Sequence, residues 1–147
     1  MNIVIGTDHR GYEHKEYIKR GMHTCAGMQL EWTDVGAFNA QRSDYPEFAH
    51  KACTLLLQGN VERAVLLCGS GVGMAIAANR YKGIYAALVW NEDVAALSAQ
   101  DDNANVLVLP ADFITPEQAV AFITAWLSTP FKGGRYQKRI DQLEKES

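Results

Sequence analysis

Cys68 closes an apolar run, AVLL at 64–67, and is followed by Gly69-Ser70-Gly71-Val72-Gly73. Glycines at a strand–helix junction let the backbone expose its N–H groups, and N–H groups at a helix N-terminus bind anions. The same partial positive charge lowers the pKa of a thiol beside it, so Cys68 would serve as a nucleophile or a general base. As a nucleophile it needs a partner base, and His9 is the one histidine suitably placed. A structural reading stands beside this one: free cysteine is most often a small buried hydrophobe, and the glycines then only make a turn. Nucleotide binding is disfavoured. The dinucleotide pattern G-x-G-x-x-G belongs after a first strand with an acidic residue about 20 positions on, and a P-loop needs G-K-[ST]. Neither occurs here.

Other residues carry weaker signals. Arg135 and Arg139 are four apart, so a helix would put both guanidinium groups on one face, suited to a phosphate or simply to solvent. Asp44-Tyr45-Pro46 reads as a turn leading into a helix. Cys25 and Cys53 fall in helical patterns and read as packing residues. Three cysteines with no C-x-x-C spacing argue against a disulfide framework or a zinc site.

Short apolar runs alternating with helical patterns position these residues. Strands are expected at 2–7, 29–35, 63–68, 84–89 and 105–109, and helices at about 12–26, 46–57, 73–80, 92–100 and 116–127. Near-continuous apolar strands in strict β-α alternation predict a three-layer α/β/α domain with a five-stranded parallel sheet over 1–147. The polar tail after Gly133-Gly134 predicts a closing C-terminal helix over about 133–146. In such sheets ligands bind beyond the carboxyl ends of the strands, where the strand order reverses. The first strand ends in Asp8 and His9, and the third in Cys68 and Ser70. An order beginning 2-1-3 makes these strands neighbours, so both clusters would face one crevice.

The bulk numbers agree with a globular protein. The 147 residues carry a net charge of −3 with signs interspersed, which gives no footprint for nucleic acid or an anionic membrane. No apolar run approaches the roughly 20 residues needed to span a bilayer. The N-terminus lacks the pattern of a signal peptide. The expectation is a soluble, reduced, cytoplasmic protein.

The segments GTDHRGYEHK, SDYPEFA, LLCGSGVGMAIAANR, KGIYAAL, NANVLVL and FKGGRYQKR together resemble the ribose-5-phosphate isomerase B family, which includes the galactose-6-phosphate isomerase subunits. The resemblance implies a Rossmann-like sandwich, a homodimer or dimer of dimers with shared sites, and no metal or cofactor. It also implies interconversion of aldose and ketose phosphates through a cis-enediolate. Carried over residue by residue, Cys68 is the base. The amides of Gly69, Gly71, Val72 and Gly73 and the Ser70 hydroxyl stabilise the enediolate. Asp8, His9 and Tyr45 contact the substrate, and Arg135 and Arg139 of a partner subunit hold its phosphate.

Two places depart from the family pattern. Asp101 and Asp102 stand where it has a ring-opening histidine and an asparagine, so the ring-opening role falls on Asp101 and a substrate contact on Asp102. A carboxylate can act as that acid only with a raised pKa. Asp112 stands where a phosphate-binding arginine is frequent, which should weaken binding of a dianion. These departures leave two alternatives: an isomerase or epimerase of a less charged or open-chain sugar, and a non-catalytic phosphosugar-binding subunit.

Overall fold

The computed structural model describes residues 1–145. β1 (Asn2–Thr7) leads through a 3-10 turn (His9–Gly11) into α1 (Tyr12–Gly21). A small antiparallel hairpin, β2 (Thr24–Cys25) with β3 (Met28–Gln29), precedes β4 (Glu31–Asp34). There follow α2 (Tyr45–Leu57), β5 (Arg63–Cys68), α3 (Val72–Asn79), β6 (Ala86–Leu88), α4 (Glu92–Gln100) and β7 (Val106–Pro110). A second 3-10 turn (Ala111–Phe113), α5 (Pro116–Leu127) and α6 (Arg135–Lys145) complete the described chain.

The main sheet is parallel throughout, with order β4-β1-β5-β7-β6. Its centre reads as continuous apolar sequence because both faces are covered. Ile3, Ile5, Val65, Leu67, Leu107 and Leu109 pack with Ile18 of α1 and Phe122 and Trp126 of α5. Val4, Ala64, Leu66, Val106 and Val108 face the other way, against Phe48 and Cys53 of α2 and Met74 of α3. Cys25 and Cys53 are buried, as packing residues should be, but only Cys53 lies in a helix, α2, whereas Cys25 ends the strand β2. α5 starts where its sequence says it should: the Thr115 hydroxyl accepts from the Gln118 amide, the Thr115 amide donates to Gln118 Oε1, and Pro116 takes the first helical position.

Several element bounds differ from expectation. The first helix stops at Gly21 rather than running to 26, because residues 24–29 turn back as the β2–β3 hairpin through Ala26 and Gly27 at φ +50° and +78°. The strand expected at 29–35 is confined to Glu31–Asp34, its first residue having gone to the hairpin. The strand expected at 84–89 pairs only over Ala86–Leu88. The Gly133-Gly134 break stays outside the last helix, which begins at Arg135; the expected end at 146 lies outside the described residues.

The switch in strand order falls between β1 and β5, as an order beginning 2-1-3 requires. Thr7 pairs with Leu67, and Cys68 with Pro110. The carboxyl ends of β1, β5 and β7 therefore stand side by side, and the residues just beyond them share one mouth.

Candidate active site

A cleft of about 430 Å³ opens at that mouth, lined by Asp8, Arg10, Tyr45, Cys68, Gly69, Ser70, Gly73, Asp112 and Phe113. Cys68 forms its floor and is only 4% exposed. The thiol is therefore a core residue and a cleft residue at once, less accessible than a loop-start position suggests. Burial pushes its pKa up. The amides of Met74, Gly71 and Gly73 point at the sulfur and pull it down, and the charge of Asp8 pushes it up again; the net direction is upward. The expectation of a lowered thiol pKa is thus overturned. The amide cradle exists, but desolvation by burial outweighs it.

The glycines are needed for identifiable reasons. Gly71 sits at φ +78°, and a Cβ there would come 2.4 Å from Leu88 Cδ1. A Cβ on Gly73 would meet the Tyr45 ring at 2.7 Å, so the missing side chain is what lets Tyr45 close over the loop. The Val72 amide donates to Ser70 Oγ at 3.2 Å, which leaves the hydroxyl proton free to donate elsewhere. The Val72 side chain itself is exposed.

Asp8 is buried beside the thiol. Burial raises its carboxyl above the ordinary range, against the opposing hydrogen bond from the Arg10 amide, and the charge of Asp112 adds to the rise. His9 does not line the cleft. Its ring Nδ1 lies 3.2 Å from both backbone groups of Ser43, and its amide donates to Ser43 Oγ at 3.0 Å. The imidazole expected as a partner base for Cys68 instead holds the 36–44 loop that leads to Tyr45. The same loop is moored below: Gly36 and Ala37 bond the Thr7 backbone. Asp34 meanwhile takes two hydrogen bonds from the fully buried Lys15 ammonium, at 2.6 and 2.7 Å, and one from Lys19.

The remaining residues named from sequence stand elsewhere. Asp101 caps the end of α4 and accepts from Gln100 Nε2. Asp102 and Arg139 line a second cavity with Asn79, Tyr85, Ile140 and Leu143. Burial and the neighbouring charge of Asp101 raise the Asp102 carboxyl, opposed by Arg139. α6 docks there through buried Ile140 and through the Tyr85 hydroxyl, which donates to Glu144 and is pushed up to about 12. Arg135 and Arg139 do converge as their spacing predicted, each over the Tyr136 ring at 5.0 and 5.3 Å. Asp101 and Asp102 precede β7, whereas Asp112 follows it. A strand of five residues spans roughly 16 Å, so the two aspartates stand at the opposite edge of the sheet from Cys68.

Arg10 was missed by sequence reasoning. It lines the cleft and pairs with Asp112, Nε at 2.7 Å and Nη2 at 2.6 Å from Oδ2. Asp112 is therefore not the bare negative charge that its position alone suggested. The partners are 102 residues apart, and no local signal joins them. Among the described residues no group of three or more His, Cys, Asp or Glu is placed to hold a metal ion, and no helix is long and apolar enough to cross a membrane.

A thiol cradled by loop amides in a cleft at the switch point of a parallel sheet defines a doubly wound α/β protein with a ligand-sized cleft beyond its strand ends. Residues 3–143 match the ribose/galactose isomerase family, and the chain belongs to that family. It is 40% identical to a probable ribose-5-phosphate isomerase B of Mycoplasma genitalium, over all of this chain and 98% of that one. Its structure is similar to a ribose 5-phosphate isomerase of Thermotoga maritima, with TM-score 0.92 and 41% identity over 98% and 97% of the two chains. It is also similar to the ribose-5-phosphate isomerase B of Mycoplasma genitalium with bound ribulose 5-phosphate, with TM-score 0.90 and 37% identity over 99% and 95%.

Proposed function

We propose that this chain is a cofactor-independent aldose–ketose isomerase acting on a phosphorylated sugar, ribose 5-phosphate and ribulose 5-phosphate or a close relative. The observation that carries the reading is the Cys68 sulfur on the cleft floor with three amides aimed at it. In this mechanism the thiolate removes the C2 proton of the open-chain aldose. The C–H electrons form the C1–C2 double bond, and the carbonyl electrons move onto O1. A proton passes from O2 to O1, the thiol returns its proton to C1, and the C2 carbonyl of the ketose is left. The two oxygens lie cis, so the Ser70 hydroxyl and the amides of the 69–73 loop serve both in turn. Asp8 and Tyr45 orient the substrate hydroxyls.

The phosphate is held by Arg135 and Arg139 of a second copy of the chain, and Asp101 and Asp102 reach the same site from that copy. The Cys68 cleft and the cavity of Asp102 and Arg139 lie at opposite ends of β7, which supports this assembly, since one chain cannot join them. So do the exposed apolar side chains Val72, Ile76, Trp90 and Leu97, a surface suited to burial against another copy. A cytoplasmic location accords with the sugar-phosphate substrate.

Deuterium exchange followed by NMR tests the reading. Wild type should incorporate solvent deuterium at C1 of ribulose 5-phosphate or a related ketose phosphate. Cys68→Ala should lower the rate by about 10²- to 10⁴-fold while the circular dichroism spectrum is unchanged. A Cys68→Ala variant that exchanges at the wild-type rate removes the thiol from the mechanism. A second reading, an open-chain or less charged sugar, is favoured by the carboxylates at 101, 102 and 112. Exchange with an unphosphorylated or tetrose substrate alone would select it.

A further inference from the structure

Arg10 is the only cationic side chain among the residues lining the Cys68 cleft, whose other charges are Asp8 and Asp112. Its backbone is fixed, because the Arg10 amide donates to Asp8 Oδ1 at 3.0 Å. Its side chain is aimed as well. It lies across the start of the loop that follows Cys68, so close that a Cβ on Gly69 would stand 2.6 Å from Arg10 Nε and 2.8 Å from Asp112 Oδ2. Asp112 is held against that loop too, its amide donating to the Gly69 carbonyl at 3.0 Å.

The pairing leaves much of the guanidinium unused. Nε and Nη2 both approach one oxygen of Asp112, and Nη1 has no partner among the described residues. The Arg10 side chain is 55% exposed, against 35% for Asp112. The hydrogen bond to Asp112 does most to favour the charge on Arg10, but Asp8 and Cys68 also contribute, so the guanidinium lies within electrostatic reach of the thiol. A pair built only to clamp the loop would use both carboxylate oxygens in the bidentate geometry that is strongest for arginine. This one leaves the Nη1 edge of a guanidinium that lines the cleft unpaired among the described residues.

We infer that Arg10 is an anion ligand of the substrate, supplied by the same chain as the thiol, and that Asp112 is the positioning residue that aims it. The inference rests on the phosphosugar reading above. Arg10 then takes phosphate oxygens from the wall of the cleft, opposite the arginines contributed by a second copy. Asp112 balances the guanidinium when the cleft is empty.

The test is steady-state kinetics of Arg10→Ala and Arg10→Lys with the phosphosugar turned over by wild type, together with calorimetric titration of inorganic phosphate. Loss of charge-assisted hydrogen bonds should raise KM and the phosphate dissociation constant about 10- to 100-fold in Arg10→Ala. kcat should stay within about threefold, and Arg10→Lys should recover part of the loss by restoring charge without the fork. The opposite pattern, KM and phosphate affinity within twofold of wild type with kcat or melting temperature reduced, would make the pair a loop clamp and overturn the inference. Should wild type turn over no phosphosugar, the functional reading fails by itself. The phosphate titration of wild type against Arg10→Ala then still decides whether Arg10 binds the anion.

Discussion

Cys68 must satisfy two demands that pull in opposite directions. As a packing residue it closes the core between β5 and α3, and burial favours the neutral thiol. As the proposed base it must ionise, and the amides of Met74, Gly71 and Gly73 favour the thiolate. In the free enzyme burial prevails, so kcat/KM, which reports free-enzyme ionisations, should climb with pH through and beyond 9.0, the ordinary thiol value. A pH–rate profile already flat at neutral pH would show that Cys68 is not the titrating base. Much at this scale was legible. Asp8, Ser70 and Cys68 follow strand ends, and parallel sheets bind ligands there. The direction of the thiol pKa was not legible, because it depends on how much protein covers the sulfur. Nor was Arg10, because its partner arrives from β7.

The element scale is governed by the moorings of the 36–44 loop. Asp34, at the end of β4, holds the fully buried Lys15 and the half-buried Lys19. Burial alone would raise its carboxyl, but the hydrogen bonds from Lys15, Lys19 and the Gly36 amide more than offset it and hold it below the ordinary 3.8. A carboxyl whose folded pKa is depressed stabilises the fold above its unfolded value, and that contribution is lost as pH falls through the folded one. Asp34→Asn strips Lys15 of its counter-ion and should cost about 3–5 kcal/mol in urea unfolding. The variant should also lose the part of acid destabilisation that wild type shows below pH 3.8. A loss under about 1 kcal/mol would mean that Glu16, 3.4 Å from Lys15, suffices as its partner. Periodicity identified the helices and apolar runs the strands, since α2, α4, α5 and β5 are bounded by strong local signals. The hairpin at 24–29 escaped because two-residue strands carry no period, and its turn uses an alanine at positive φ.

At the scale of the whole molecule, the assembly proposed above, in which Arg139 of one copy reaches Cys68 of another, predicts complementation. Cys68→Ala and Arg139→Ala should each be inactive as pure proteins. Mixed dimers regain one intact site each, so a one-to-one refolded mixture should recover about a quarter of wild-type activity by random pairing of a twofold dimer. A mixture as dead as its parents would place Arg139 outside the site built around Cys68. The strand order has a different consequence, for the time course of folding. β7 is inserted between β5 and β6, and among the described residues β6 pairs with no other strand of the sheet. β1, β4 and β5 can assemble as the chain emerges, but β6 has no seat until residue 110 has been made. The strands that bring the thiol and Asp8 together are therefore all made before the sheet edge at β6, beside the α6 cavity, has its neighbour.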